Sequence, residues 1–372
     1  MGGNKYMTKT DTPLINSYDN WSSLEEVWLG DVYPCSWYDH LPGEVRDCFH
    51  ELTERTQQDL KIIETKLESL GVTVRRPRYD CIDDYIEHDT QQLAKPEICP
   101  RDNYVTIGQT LFAKPLGGRI TPWQQHIDTY ESNGDLVDHV LANNIMGLNG
   151  ATIVRAGKDL YFDLYFQQDN PTQDQKSILI DSFQQDFAHK FKDYRIHILF
   201  NGGHVDACFA LLKPGTILGS RYFQDYDQTF PGWQLINVSQ PEFINHAPRS
   251  VRAGLPGQNG KWWLPGFGYS KAFNNHVIEH AQTWIGDYTE TFFEVNCLVV
   301  DEHNVVIPGE NESVFRNLEI MGITAHSVPF RTRTFWDGGM HCITLDIRRR
   351  GTCQDFFPDR EQPNIMVYNT SC

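Results

Sequence analysis

Apolar residues recur at a helical spacing between positions 44 and 70, and this pattern predicts an amphipathic helix. Gly71 comes next, where a glycine helix cap belongs, and residues 72–74 then predict a short strand. The pattern therefore indicates a unit made of a helix, a turn and a strand. The apolar face of the helix is formed by Val45, Phe49, Leu52, Leu60, Ile63, Leu67 and Leu70.

The same unit recurs twice further along the chain. A helix over 175–191 leads into a strand over 196–200, and a helix that ends before Gly322 leads into a strand over 323–328. The first and last copies share a similar sequence, Leu-Glu-Ser-Leu-Gly-Val-Thr and Leu-Glu-Ile-Met-Gly-Ile-Thr. Pairs of short apolar runs around turn residues also predict β-hairpins. The hairpins lie at 104–112, 152–162, 209–218 and 297–307.

Hairpins that alternate with helix–strand units predict an α+β protein. One such unit cannot bury its apolar face alone, so several units are expected to pack around a shared centre. An ordinary α+β protein with coincidental similarity between its parts is the alternative. No linker-like stretch divides the chain, so we predict a single domain over residues 17–372, preceded by a disordered leader over residues 1–16.

Composition and charge narrow the class of protein. No apolar run reaches the ~18 residues that a membrane span needs, and the first residues lack the basic-then-apolar plan of a signal peptide. The nine cysteines are scattered without a C-x-x-C pair, so they indicate reduced thiols in a cytoplasmic protein instead of disulfides or a zinc site. The net charge of −17 would repel nucleic acid and attract a cationic small substrate, although solubility alone explains most of these charges.

Polar clusters follow the predicted helix–strand units. Residues 99–102 are Cys-Pro-Arg-Asp, residues 201–206 are Asn-Gly-Gly-His-Val-Asp, and residues 336–342 are Trp-Asp-Gly-Gly-Met-His-Cys. Because strand ends of repeated units can converge, these side chains are expected to form one site. Taken singly, a cysteine is more often a small buried hydrophobe, and a His or Asp beside Gly is more often a turn residue.

The collected side chains suit covalent chemistry on a guanidinium cation. Carboxylates hold this planar cation through paired charge-assisted hydrogen bonds, which Asp102 and Asp206 can supply. Attack at its carbon needs a soft nucleophile, and the thiolate of Cys342 is the best candidate. His204 can move protons to and from the nitrogens. The residues by themselves indicate a thiol-dependent enzyme.

The motifs at these positions resemble those of the arginine:glycine amidinotransferases and their bacterial relatives in secondary metabolism. The strongest match runs from residue 338 to residue 352, and shorter matches lie at 99–102, 155–159 and 204–206. The resemblance begins near Trp21 and covers almost the whole chain. Among these relatives, the chain looks most like amidinotransferases of cyanobacterial toxin pathways, such as that for saxitoxin.

The resemblance implies the pentein fold, a five-bladed α/β propeller with pseudo-fivefold symmetry and a central active site. It implies that Cys342 is the nucleophile, His204 the general acid and base, and Asp102 and Asp206 the carboxylates that bind the guanidinium. The implied reaction is a ping-pong transfer from L-arginine to an amine through an amidino-cysteine, with release of ornithine and without a metal or organic cofactor. A homodimer is compatible with the family, although the sequence carries no interface signal.

One position departs from the family pattern. Asn149 stands where the family has the Asp of a Cys-His-Asp triad. An amide can orient an imidazole, as in Cys-His-Asn sites, but it cannot stabilise an imidazolium as a carboxylate does. Asn149 is the expected third member of the catalytic set. The alternatives are that Asp159 serves as the acid, or that the chain is an inactive guanidinium-binding homologue.

The acceptor is expected to be larger than glycine. Gly202 and Gly203 stand where glycine amidinotransferases carry bulkier residues, and they would open space for a larger acceptor. The resemblance to the toxin-pathway enzymes implies that this acceptor is an amino ketone. A tight turn that needs positive φ explains the two glycines equally well. The rival activity on the same fold is hydrolysis of the arginine deiminase type, but the Arg-rich segment 348–351 after Cys342 favours a transferase.

Overall fold

The computed structural model describes residues 13–87, 89–114, 120–139, 150–164, 172–200, 204–219, 223, 225–238, 270–281, 284, 294–309, 311–336, 338–360 and 365–368. The helices of this part are α1 (Gly43–Ser69), α2 (Gln124–Asn133), α3 (Gln173–Asp186), α4 (Tyr226–Thr229), α5 (Lys271–His280), α6 (Glu312–Ile320) and α7 (Arg333–Trp336). The strands are β1 (Leu24–Leu29), β2 (Thr73–Arg75), β3 (Tyr104–Ile107), β4 (Thr110–Ala113), β5 (Leu136–Asp138), β6 (Ile153–Ala156), β7 (Asp159–Asp163), β8 (Arg195–Leu199), β9 (Phe209–Lys213), β10 (Thr216–Gly219), β11 (Gln234–Asn237), β12 (Leu298–Asp301), β13 (Asn304–Pro308), β14 (Thr324–Val328), β15 (Thr344–Arg349) and β16 (Met366–Val367).

The sheets of the described part repeat one plan. Each contains an antiparallel pair of strands and a further strand that runs parallel to one member of the pair. This repetition confirms the α+β class and the recurring unit that the sequence predicts. The five strand orders are β15-β1-β2, β3-β4-β5, β6-β7-β8-β16, β9-β10-β11 and β12-β13-β14.

Helix α1 confirms the predicted amphipathic helix, with bounds shifted by one residue. Leu60 and Ile63 are fully buried, whereas Lys61 faces solvent. Gly71 takes φ +85°, a left-handed conformation that glycine adopts without steric cost, and the chain turns there into β2. Gly322 ends the second such helix in the same way, with φ +70°, before β14.

The predicted helix over 175–191 consists of two pieces. A capping box between Thr172 and Gln175 starts α3, which ends at Asp186, and a short 3₁₀ turn covers Ala188–Phe191. The apolar spacing continues through the break because Phe187 and the turn pack on the same core, so periodicity did not reveal it. The four predicted hairpins are confirmed as β3–β4, β6–β7, β9–β10 and β12–β13.

One sheet joins segments from near the two ends of the chain. Strand β1 lies antiparallel to β15, with Leu29 opposite Thr344, and parallel to β2. Three residues of the predicted leader are also held in place. The N–H of Leu14 donates to Asp135, Ile15 is fully buried, and Asn16 pairs with β15. The leader stays a prediction for residues 1–12, which lie outside the described residues, and so does the single domain over 17–372.

Polar residues occupy equivalent points in four of these sheets. Asp102, Asn296 and Cys342 each lie two residues before a strand that belongs to an antiparallel pair, and Asp206 lies three residues before such a strand. Asp102 and Asp206 belong to short 3₁₀ turns, which bring the chain round before the strand begins. The fold therefore delivers four polar side chains from four separate sheets.

Candidate active site

Cys342 is held by the side chain of Asn296. The thiol is 5 % exposed, and Nδ2 of Asn296 donates to its Sγ at 2.9 Å. The backbone N–H of Cys342 donates to Oδ1 of Asn296 at 3.0 Å, so one amide group contacts this residue twice. The thiol in turn donates to Oδ2 of Asp206 at 3.5 Å.

Asp206 and His341 form a buried pair beside this thiol. Nδ1 of His341 donates to Oδ2 of Asp206 at 2.8 Å. Burial and the nearby Arg101 lower the pKa of His341 to about 4, so the imidazole is neutral at neutral pH. Burial alone would raise the pKa of Asp206, but the hydrogen bond from His341, together with the electrostatic influence of His204 and Arg101, lowers it below its ordinary value. Asp206 is therefore an ionised carboxylate.

The two oxygens of Asp206 have different surroundings. Oδ2 accepts from His341 and from the thiol of Cys342. Oδ1 is buried and has no hydrogen-bond partner among the described residues. A buried charged oxygen without a donor is costly, so this atom is a candidate acceptor for a cationic ligand.

The surroundings of Cys342 disfavour the thiolate form of its side chain. Burial, the charge of Asp206, the neighbouring Cys99 and the charge of Asp102 all raise its pKa well above the ordinary value, whereas the backbone of Gly339 lowers it. The thiol is therefore protonated at neutral pH. A cation that offsets the two carboxylates would lower its pKa, because opposite charges nearby favour the thiolate.

A buried charge cluster supports the loop that carries the thiol. Nε of Arg101 donates to the carbonyl of His341 at 2.7 Å, and its Nη2 donates to Asp346 at 2.6 Å. Arg155 and Arg349 also donate to Asp346, at 2.6 and 2.8 Å. Burial opposes ionisation of Asp346, but the three guanidinium groups hold its pKa well below its ordinary range. The cluster thereby fixes the backbone next to Cys342.

Gly339 allows this loop to approach Asn296 closely. A Cβ at this position would lie 2.6 Å from the backbone O of Asn296 and 2.7 Å from its Oδ1, closer than atoms tolerate. The N–H of His341 donates to the same backbone O at 3.3 Å. Space therefore requires glycine at position 339.

The structure describes four of the seven predicted site residues. Cys342 and Asp206 lie in direct contact, whereas Asp102 and His204 are half-buried and act on this pair through their charges. Asp102 also lies 3.9 Å from the ammonium group of Lys95. Three predictions, Asn149, Gly202 and Gly203, fall outside the described residues and stay predictions.

The alternative acid Asp159 is engaged elsewhere. Its carboxylate accepts from His197 at 2.6 Å, from Arg195 at 2.6 and 3.1 Å, and from Arg360 at 2.8 Å. Both oxygens of Asp159, which is fully buried at the start of β7, are therefore occupied. This arrangement argues against Asp159 as the group that orients His204.

Sequence reasoning missed the contacts of Asn296 and His341. Asn296 is the residue before the Cys297 hairpin, at the same distance from its strand as Asp102 and Cys342 from theirs. That shared position was the available signal, because equivalent points of a repeated unit face the same way. His341 adjoins Cys342 in the sequence, but its bond to Asp206 depends on two distant sheets.

Neither a metal-binding cluster nor a membrane-spanning helix is found in the part of the chain that the structure describes. No three or more His, Cys, Asp and Glu side chains are grouped there as a metal ion would need. No helix there combines the length and the apolar character that would let it cross a membrane.

The chain is similar to curated amidinotransferases along nearly its whole length. No protein-family profile matches it. It is 23% identical over 421 residues to the L-arginine:L-lysine amidinotransferase of Pseudomonas savastanoi pv. phaseolicola, with 95% of this chain and 99% of that protein covered. It is 21% identical over 418 residues to the mitochondrial glycine amidinotransferase of Danio rerio, and this alignment covers 94% of this chain and 86% of the Danio rerio protein.

A solved structure shows the same fold. The amidinotransferase of the saxitoxin biosynthetic pathway from Microseira wollei superposes with a TM-score of 0.62 at 21% identity, over 92% of this chain and all of that one. Together with the curated relatives, this likeness indicates an enzyme of the transferase class. The resemblance to the amidinotransferases that the motifs carry is thus confirmed.

Proposed function

We propose that this protein moves the amidino group of L-arginine to an amine acceptor, with Cys342 as the nucleophile. The observation that carries the proposal is the buried Oδ1 of Asp206, which has no partner among the described residues, on a carboxylate whose other oxygen contacts the thiol at 3.5 Å. A guanidinium N–H donated to Oδ1 would bring the guanidinium carbon close to Sγ. Arginine as donor is supported by the curated relative named for L-arginine and L-lysine.

Substrate binding would activate the thiol in this proposal. Asp102 and Asp206 both raise the pKa of Cys342. A guanidinium placed between them offsets their charges, so the thiol loses its proton only when the donor is present. His204, which lies close enough to Asp206 to influence its pKa, is the proposed proton acceptor and acts in its neutral form. Such coupling protects the resting enzyme from unproductive thiol chemistry.

The first half-reaction forms an amidino-cysteine. Sγ of Cys342 gives its proton to His204 and attacks the guanidinium carbon. The bond from that carbon to the side-chain nitrogen of arginine then breaks, and His204 returns the proton to this nitrogen. Ornithine leaves, and the amidino group stays on sulfur as a cation beside Asp102 and Asp206. Asn149 is the proposed partner that orients the ring of His204.

The second half-reaction transfers the group to the acceptor. A neutral amine enters the place that ornithine has left, attacks the amidino carbon and passes a proton to His204. The carbon–sulfur bond breaks, and Sγ recovers the proton. We propose an amino ketone of a saxitoxin-like toxin pathway as the acceptor, with Gly202 and Gly203 giving it room. The structural likeness to the saxitoxin-pathway enzyme supports this choice.

The remaining predictions complete the proposal. The five similar sheets support a five-bladed propeller with a central site. The enzyme would work in the cytoplasm on small molecules, without a metal or organic cofactor, and a homodimer is the assembly that the family suggests. Size-exclusion chromatography with light scattering tests the dimer directly.

The decisive experiment combines an acceptor screen with intact mass. Arginine alone should add one amidino group to the protein, and the adduct should map to Cys342. Ornithine release should then become catalytic only when an amine acceptor is present. Cys342→Ala should abolish both signals, whereas Cys353→Ala, at an exposed cysteine, should change neither. Normal turnover of Cys342→Ala would refute the mechanism.

Two alternative functions give different results in the same assay. A hydrolase of the arginine deiminase type would form citrulline and ammonia from arginine without an acceptor. An inactive binding homologue would show arginine binding by calorimetry and no adduct at any pH. Either outcome would exclude the transferase.

A further inference from the structure

We infer that Asn296 is a positioning residue for Cys342, which both anchors the nucleophile and stabilises its thiolate. The inference rests on the proposed function only in taking Cys342 as the nucleophile. The observation behind it is that the side-chain amide of Asn296 contacts Cys342 twice. Its Oδ1 lies 3.0 Å from the backbone N of Cys342, and its Nδ2 lies 2.9 Å from Sγ.

The chemistry of the neighbours fixes the orientation of this amide. The N–H of Cys342 can only donate, so the atom that faces it must be the amide oxygen. The amide NH₂ then faces Sγ of Cys342 and the carbonyl oxygen of Asp206, at 3.4 Å, and both can accept. A flipped amide would lose the bonds to the N–H of Cys342 and to the carbonyl oxygen of Asp206. The backbone N–H of Cys342 thus determines that Nδ2 of Asn296 is the atom that donates to the sulfur.

The surroundings make such a donor valuable. Cys342 is buried next to Asp206 and in the field of Asp102, and all three factors oppose the thiolate. A hydrogen bond to a charged acceptor is about twice as strong as one to a neutral acceptor. The bond from Nδ2 therefore strengthens when the thiol loses its proton, so it lowers the pKa that the carboxylates raise.

The position of Asn296 is itself held tightly. The backbone O of Asn296 accepts the N–H of His341 at 3.3 Å, and the neighbouring Gly339 has no room for a side chain. Asn296 is 2 % exposed, so water does not compete for its amide. The loops that carry Asn296 and Cys342 are therefore locked to each other.

The test measures the reactivity of the thiol without any transfer reaction. The rate of iodoacetamide alkylation of Cys342 is followed as a function of pH in the full-length protein, through the tryptic peptide 334–348, in which Cys342 is the single cysteine. Asn296→Asp replaces the donor by a negative oxygen at unchanged size. At a fixed pH below the thiol pKa, its alkylation should be at least about ten-fold slower, equivalent to about one pKa unit.

Two further variants separate this effect from misfolding. Asn296→Ala removes the donor without adding charge, so its alkylation rate should lie between those of the wild type and Asn296→Asp. Asn304→Asp is the matched control, since Asn304 lies in β13, which pairs with the strand that follows Asn296, and bonds Asp301 instead of the site. It should alkylate at the wild-type rate. Thermal denaturation confirms that each variant is folded.

The outcomes distinguish this inference from the proposed function. Alkylation profiles of folded Asn296→Asp or Asn296→Ala that superpose on the wild-type profile would overturn the role of Asn296. A slowed Asn296→Asp in a protein that never forms an arginine adduct would keep the role and reject the transferase. An arginine adduct in the wild type, together with unchanged alkylation of the variants, would support the transferase and reject the role of Asn296.

Discussion

Nδ1 of His341 donates to Oδ2 of Asp206 at 2.8 Å, so the proposed guanidinium-binding carboxylate is held by the residue next to the proposed nucleophile, Cys342. This bond favours the ionised form of Asp206. The same contact gives His341 a role that differs from the proton transfer proposed for His204. His341 would set the pH range in which the site can hold a cation.

Replacement of His341 by Ala should therefore raise the pKa of Asp206. The acidic limb of the pH profile of kcat/KM for arginine should move to higher pH, by about one unit, because a hydrogen bond to a charged group contributes about 1.5–3 kcal/mol. The measurement is kcat/KM between pH 4 and 8. His341→Asn can still donate to the carboxylate and should restore part of the range. An acidic limb that does not move in His341→Ala would contradict this role.

Gly339→Ala should disable the site without unfolding the protein. The added Cβ would collide with the backbone O of Asn296, so the loop of Cys342 must shift. A shift of the loop that is large enough to relieve this collision should lower the rate of adduct formation by about 100-fold. The rate of arginine-dependent modification of Cys342, read by mass spectrometry, checks this expectation.

Gly322→Ala is the control for that substitution. Gly322 has φ +70° and open space around it, so alanine there costs backbone strain of about 1 kcal/mol in the free energy of unfolding. Its adduct rate should match the wild type. Equal adduct rates for Gly339→Ala and Gly322→Ala would show that the close approach is unimportant.

His197 should make folding stability depend on pH between about 6.5 and 4. Burial lowers its pKa in the folded protein to about 4, whereas the unfolded chain has a value of about 6.5. In this window the unfolded state binds the proton and the folded state does not. Stability is therefore complete above pH 6.5 and falls as the pH decreases towards 4, by up to about 1.4 kcal/mol per pH unit for this group.

Urea unfolding of His197→Gln at pH 6 and pH 5 measures this contribution. The loss of stability between the two pH values should be smaller than in the wild type by about 1 kcal/mol. His303→Gln serves as the reference, because His303 is exposed on the turn between β12 and β13. If stability falls equally between pH 6 and pH 5 in His197→Gln and His303→Gln, the buried imidazole of His197 is not the source of the pH dependence.

Asp346→Asn should be among the most destabilising single changes in the protein. It leaves Arg101, Arg155 and Arg349 buried around a neutral amide. Removal of one partner from a buried ion cluster costs about 3–5 kcal/mol. Chemical denaturation should report this loss, whereas Asp193→Asn, the same change at an exposed position, should stay within about 0.5 kcal/mol of the wild type.

The sequence predicts local elements well and distant pairings poorly. Helix α1 and the four hairpins follow from apolar spacing and turn residues within short stretches. Strands β2 and β14 are largely exposed, so alternation reveals little about their pairing. The pairing of β1 with β15 joins residues more than 300 positions apart, and nothing in the local pattern indicates it.

The site residues divide in the same way, into those that local motifs indicate and contacts that depend on the fold. Motifs point to Cys342, Asp206, Asp102 and His204, because chemistry restricts the residue types that can act on a guanidinium. The bond from Asn296 to Cys342 spans 46 positions and depends on the fold. It required the structure.

The pairing of β1 with β15 also has a consequence during synthesis on the ribosome. Strand β1 is complete at residue 29, but its antiparallel partner begins at residue 344. At about 5–20 residues per second, the growing chain carries this apolar strand for roughly 15–60 s before the partner exists. The thiol at residue 342 emerges immediately before that partner. A nascent chain therefore lacks the contacts of Cys342 with Asn296 and Asp206 until it reaches this point, and products truncated before it lack the proposed nucleophile.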